Sequence, residues 1–313
     1  MKGVDGSSGS HREAEVGGGA ARQRPSLPLD AAQRGHGPYV WRFNLLQRWL
    51  HGLLLVSFFV LALTGIPLRF SCAPFSPALM SFWGGVANAG LIHRMAAVIM
   101  VGAFLTHVGT AARTLYRAPD RRRLLWGPES IVPQPHDVRD FVQQFRWFFG
   151  LGAKPRFGRF SYMEKFDYMA VFWGVFIIGG SGMLLWFPEF FARWLPGWAF
   201  NVATIVHGEE ALLATTFIFT IHFFNVHLRP DKFPLDAVMF TGRATLEYMQ
   251  EEHPTLAENL AGIEGQPESP RATHDLPAPP PSRRSTLFAT FFGFAAWGVG
   301  LATIGMMLWA VLC

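Results

Sequence analysis

The sequence predicts an all-α integral membrane protein, a four-helix transmembrane bundle followed by a fifth, C-terminal spanning helix. Three observations predict it. Half of the 313 residues are hydrophobic and only 16% are charged, few charges for a water-soluble globule of this size. Five apolar runs, at about 45–66, 91–112, 168–187, 200–226 and 287–312, each approach the ~20 residues that a spanning helix needs. None of the five alternates polar with apolar residues, which argues against a barrel.

Each segment then has its own logic. Residues 1–38 are Gly-rich, polar and without an apolar core, so they read as a disordered arm. With no cleavable signal peptide visible there, the first span is expected to serve as an uncleaved insertion signal. The 39–228 segment carries four spans. Between the second and third lies a basic stretch whose "VRDFVQQFRWFF" places Phe141, Phe145 and Phe148 on one helical face, as in a helix lying at a membrane surface or packing on a neighbour. Residues 229–285 read as a cytoplasmic tail: an acidic helical piece, "ATLEYMQEEHP", then a Pro-rich linker, "GQPESPRATHDLPAPPPSRR", expected not to fold. The fifth span, in 286–313, contains no His, Asp, Glu, Lys or Arg and reads as an anchor facing lipid or a partner, outside the chemistry.

The net charge of +5 comes from basic residues whose placement is topological. Of the 27 Lys and Arg, all but Arg69, Arg94 and Arg193 fall before or at the head of the first span, between the second and third, or between the fourth and fifth. The positive-inside rule then sets the N-terminus in the cytoplasm and, after five crossings, the C-terminus outside. This basicity calls for no nucleic-acid partner. The two cysteines, Cys72 and Cys313, exclude a CxxCH haem attachment, a thiolate zinc site and an iron–sulfur cluster.

The chemistry is in the histidines. Of eleven, five (His11, His36, His136, His253 and His274) fall in segments assigned to water, where a solvated side chain suffices. The other six (His51, His93, His107, His207, His222 and His227) lie in or at the edge of a span, where ionisable groups are costly. His93 and His107, in "HRMAAVIMVGAFLTH", are 14 residues apart; His207 and His222, in "HGEEALLATTFIFTIH", are 15 apart. On straight α-helices the members of each pair are rotated by only about −40° and +60° and separated by about 21–22 Å along the axis. The two helices run in the same direction. Side by side, they set His93 opposite His207 near the outer surface and His107 opposite His222 near the inner one. Two stacked, non-covalent b-type haems need that arrangement, each iron taking an imidazole from either side. Ala96, Ala97 and Gly102 on one span, and Ala211 and Ala214 on the other, let a flat macrocycle approach, though they serve ordinary packing equally. The competing class is a haem-free, histidine-based proton or metal transporter; such sites add mid-bilayer carboxylates and broken helices, whereas Glu209 and Glu210 sit near the outer end of their span.

Several blocks between residues 41 and 255 carry a resemblance. "RFNLLQRWLHGLLLVSFFVLALTG" resembles the first helix of the cytochrome b (gamma) subunits of respiratory formate dehydrogenases and of related nickel-hydrogenase and thiosulfate-reductase complexes. "GRFSYMEKFDYMAVFWGVFIIGGSGMLLWFP" resembles the approach to their third helix and that helix itself. "HGEEALLATTFIFTIHFFNVHLRPDKFPLD", with "FTG" and "EEHP", is similar to a branch often found beside multihaem c-type cytochromes. The resemblance implies a four-helix di-haem domain in a bacterial cytoplasmic (inner) membrane. It implies that His93 and His207 hold the outer haem, and that His222 shares the inner haem with His51. The four-histidine pattern of quinol–cytochrome c oxidoreductases, which the paired intervals also resemble, favours His107 instead. His51 and His107 thus compete for one axial position, with the helix spacing leaning to His107 and the loser left to bind a propionate or handle a quinone proton. A third pair, His51 with His227, is disfavoured because His227 lies about 200° around the helix from His207 and reads as an interfacial, snorkelling side chain. The expected exchange partners are a quinone near the inner haem and, near the outer one, a periplasmic redox subunit: a molybdopterin enzyme, a hydrogenase or a multihaem cytochrome c. A stand-alone transmembrane electron carrier with no fixed partner is the remaining alternative. "SYMEKFDYM" supplies Glu164, Lys165, Asp167 and Tyr168 where the family's quinone region lies, and each also reads as a charged or polar helix cap at the interface.

Overall fold

A computed structural model describes residues 39–263 and 277–312, so the N-terminal arm, most of the Pro-rich linker and Cys313 lie outside the described residues. The protein is an all-α, multi-pass membrane protein with five helices long and apolar enough to cross a bilayer. In chain order the elements are β1 (Tyr39–Trp41), α1 (Leu45–Arg69), α2 (Phe75–Phe82), α3 (Val86–Arg117), α4 (Arg121–Trp126), α5 (Pro135–Phe148) and α6 (Tyr162–Trp186). There follow α7 (Pro188–Phe191), α8 (Trp198–Leu228), α9 (Val238–Thr241), β2 (Arg243–Thr245), α10 (Leu246–Glu252), α11 (Pro254–Ile263), β3 (Pro277–Ala278) and α12 (Arg283–Leu312).

Local chemistry starts the spans. Asn44 accepts the Gln47 amide and the Gln47 side chain accepts the Asn44 amide, both at 2.9 Å, closing a capping box at the head of α1. Ser161 and Glu164 do the same for α6. Within the spans the hydroxyls of Ser57, Thr64, Ser181 and Thr215 donate to the carbonyl four residues back at 2.6 Å. Those polar groups therefore need no water.

The four bundle spans form a ring. α1 packs on α3, α3 touches the middle of α6, α6 packs on α8, and α8 returns to α1. The second and fourth spans, α3 and α8, consequently stand diagonally across the bundle and are not side by side, as helix spacing alone suggested. Short connections explain this, because they make α1–α3 and α6–α8 the antiparallel neighbours. The fifth span, α12, joins the bundle through a core of Ala62, Ile66, Phe219, Phe223 and Met307 contributed by α1, α8 and α12. Gly300 makes this docking possible: an added Cβ would stand 2.7 Å from the Phe223 ring.

At the end where the chain enters α1 and leaves α8, a small cap closes the bundle. β1 pairs antiparallel with β2 (Val40 opposite Ala244) and with β3 (Val40 opposite Pro277). The 229–285 stretch read as a tail is therefore folded through much of its described length, and Pro277 and Ala278 of the linker form an edge strand, a place where Pro's missing donor is tolerated. Val40, Ala244, Met249 and Leu256 form the cap's core. The turn into β2 requires Gly242, at φ +76°, because a Cβ there would meet the Phe43 carbonyl at 2.6 Å, while the Gly242 carbonyl accepts the Arg42 and Phe43 amides.

Candidate functional site

The histidines gather in two groups at different heights. At the end bearing the α1–α3 and α6–α8 connections, His93 of α3 and His207 of α8 face each other across the diagonal, ring centres 6.3 Å apart and planes at 66°. Each ring is held from behind through Nδ1. His93 Nδ1 lies 2.8 Å from Thr64 Oγ1, whose own proton goes to the Val60 carbonyl, so the imidazole is the donor. His207 Nδ1 lies 2.9 Å from the Ile178 carbonyl, which can only accept. Both rings thereby carry their proton on Nδ1 and keep a lone pair on Nε2.

The Ile178 carbonyl is aimed at His207 by a π-helical turn, Val175–Gly179, inside α6. Gly182, one turn further on, clears room for the ring: an added Cβ would lie 3.0 Å from His207 Cε1 and 3.3 Å from Nδ1. Gly65 plays a looser version of this part beside His93, at 3.6 Å.

At the cap end, His222 of α8 sits at the end of a second π-helical turn, Ile218–His222. Its Nδ1 donates to Asp167 Oδ2 at 2.9 Å, again leaving Nε2 as acceptor. His51 of α1 is half-buried, with no hydrogen bond to its ring among the described residues. His107 is engaged differently: its Nε2 meets Tyr168 Oη at 2.9 Å, ring centres 5.5 Å apart. The structure thus turns His107 Nε2 to Tyr168 of α6, while the His51 ring makes no hydrogen bond among the described residues.

The carboxylate and amine neighbours sort themselves too. Glu164 is spent on the Ser161 cap, accepting from its amide at 2.7 Å and its hydroxyl at 2.8 Å. Lys165 is buried and donates to both Asp137 oxygens of α5 at 2.8 and 3.0 Å. Of the four residues placed in the quinone region, Asp167 and Tyr168 point polar groups at bundle histidines, His222 and His107 respectively. His227 does not snorkel: it is buried, stacked on Phe223 at 4.4 Å, with Nδ1 2.9 Å from the Pro234 carbonyl. His253, expected in water, is also buried and bonded to the Gly158 carbonyl at 2.8 Å, because the cap folds over it. Arg69 and Glu209 form an exposed ion pair, and Glu210 accepts from Trp173 Nε1 of α6 at 3.2 Å. Sequence reasoning did not single out Thr64, Ile178 or Gly182; "LTG" and "IIGGSG" carry the small and polar residues that could have marked them.

The donor set can be tested against the group it implies. Two imidazoles on opposite sides of one iron, with metal–nitrogen bonds of about 2 Å, place their ring centres about 6 Å apart. The His93–His207 pair fits that separation, its Nδ1 protons are held by protein acceptors, and glycine clears the space beside His207. At the other height, His222 directs Nδ1 to Asp167 Oδ2 and turns Nε2 the other way. No family model matches the chain, and no curated protein matches it.

Proposed function

We propose that the protein is a membrane-anchoring, di-haem b-type cytochrome subunit that carries electrons between the quinone pool and a partner oxidoreductase or multihaem cytochrome. The observation that carries this reading is that His93, His207 and His222 each direct Nδ1 to a protein acceptor and so reserve Nε2 for a metal. A transporter that relays protons through imidazoles has no need to pin every ring in one tautomer. Haem iron, when bound, accepts and releases one electron at a time. His93 and His207 would hold one haem, and His222 with His51 the other.

The chain's own residues handle the protons. Oxidation of a quinol releases two electrons and two protons, so a group at the water boundary must take each proton as it leaves oxygen. The His107–Tyr168 pair is placed for this at the cap end, the imidazole accepting a proton and the phenol hydroxyl passing hydrogen bonds between it and a quinone oxygen. Lys165 and Glu164 act instead as braces for this end of α6. Among the described residues, basic side chains cluster at the cap end and only Arg69, Arg94 and Arg193 lie toward the other, which supports a cytoplasmic cap, a C-terminus outside and a periplasmic partner docked over the His93–His207 level in a bacterial inner membrane. On α5, exposed Phe141, Phe145 and Phe148 beside Arg139 and Arg146 suit the headgroup region of that cytoplasmic leaflet.

The test is quinol-driven reduction of the purified protein in proteoliposomes, followed at the b-type absorption band. Wild type is expected to be reduced by a benzoquinol or naphthoquinol, and Tyr168→Phe to be slowed tenfold or more with its haem content intact. Reduction of Tyr168→Phe at the wild-type rate removes Tyr168 from the quinone site, and a chain that quinol never reduces contradicts the quinone link.

A further inference from the structure

We infer that Asp167 is a positioning residue that sets the reduction potential of the cap-end haem through His222. The inference rests on the proposed haem ligation and goes beyond it.

The two histidine levels differ in the charge of the group behind the pinned rings. At the connection end both acceptors behind the rings are uncharged: a threonine hydroxyl behind His93 and a peptide carbonyl behind His207. At the cap end the acceptor behind His222 is a carboxylate, Asp167 Oδ2, at 2.9 Å. Its second oxygen, Oδ1, is buried and has no hydrogen-bond partner among the described residues. The nearest lysine in sequence, Lys165, is turned away to Asp137. The Asp167 side chain thus makes its one hydrogen bond among the described residues to the His222 ring, in a half-buried position where solvent screens its charge weakly.

A carboxylate that accepts the Nδ1 proton makes the imidazole more electron-rich at Nε2 and fixes its plane. A more basic axial ligand and an added negative charge both stabilise ferric over ferrous iron, so the cap-end haem is the one of lower potential. The gap between the levels gives electrons entering at the cap end a downhill path toward the connection end. Asp167 adjoins Tyr168 in the chain, so one turn of α6 holds both the residue that tunes the haem ligand and the residue that meets the quinone.

Asp167→Asn keeps the size and an acceptor oxygen but removes the charge. A redox titration of the purified two-haem protein, resolved into its two components, is expected to show one component moved to higher potential by at least tenfold in its reduction equilibrium, which is 59 mV for one electron. The other component stays in place, and Asp167→Glu, which keeps the charge, stays nearer wild type. Two unshifted components in Asp167→Asn overturn the inference. So do equal shifts in both components, the sign of a diffuse field effect. If Asp167→Asn instead loses one haem, Asp167→Glu is expected to retain it, and equal loss in both variants reveals a packing role and overturns the inference. A wild-type protein that holds no haem would defeat the functional reading itself, a different result from any of these.

Discussion

Replacing Lys165 by methionine isolates what the buried pair between α5 and α6 contributes. The amine is 3% exposed and the Asp137 carboxylate 11%, with two hydrogen bonds at 2.8 and 3.0 Å, so solvent screens the pair little. Methionine keeps most of the side-chain volume but leaves Asp137 buried with the Gln134 amide, at 2.6 Å, as its remaining backbone donor. Removing one partner of such a pair costs about 3–5 kcal/mol. At 1.4 kcal/mol per factor of ten, the opening equilibrium of α5 rises by about two to three and a half orders of magnitude. Hydrogen exchange of the α5 amides in detergent or nanodiscs reads this directly. The double variant Lys165→Met/Asp137→Leu, which replaces both charges by apolar groups, is expected to recover much of the loss. A change of less than threefold in α5 exchange for Lys165→Met would refute the assignment of Lys165 as a structural brace and return it to the quinone region.

Three further outcomes follow from the geometry. His51→Ala is expected to lower haem content from two per chain to about one, whereas His107→Ala retains both and loses quinol reactivity; the reverse pattern in a pyridine haemochrome assay would restore His107 as the ligand. Gly182→Ala should displace the His207 ring and weaken haem retention at the connection end without loosening the cap, which haem-loss kinetics would detect; unchanged kinetics would show that the ring has slack. The cap should loosen on acidification. Burial pushes the His253 imidazole down from its ordinary 6.5, and for Glu252 the Arg229 hydrogen bond and nearby cations outweigh burial and hold the carboxyl below its ordinary 4.5. With both folded values depressed, the unfolded cap binds more protons, so this stability is complete above about pH 6.5 and falls as pH drops through the His253 and then the Glu252 values. Amide exchange of residues 229–258 measured from pH 8 to 4, corrected for intrinsic rates, should show protection falling with pH; rising protection would contradict the sign.

Much of this architecture was legible because hydrophobic run length is a strong signal. The expected spans at 45–66 and 200–226 became Leu45–Arg69 and Trp198–Leu228. The second and third spans grew by a turn or more where polar residues continue the helix past the apolar core, as at "VANAG" and "SYMEKF". The approach of His93 to His207 was also legible, since both lie in regular α-helix. His222 closes a π-helical turn, and such a turn has no signature in a hydropathy pattern. Partners distant in sequence were equally hidden: Lys165 with Asp137, His222 with Asp167 and β1 with β3 are brought together by packing, which periodicity does not encode.

The proposed function depends on iron between facing imidazoles. The most direct measurement is the reduced-minus-oxidised visible spectrum, with haem stoichiometry, of the full chain purified after expression with ample haem supply. Two b-type haems per polypeptide, both low-spin, are the predicted result. A colourless protein that is folded and monodisperse would contradict it, and would leave the six membrane histidines to a function without haem.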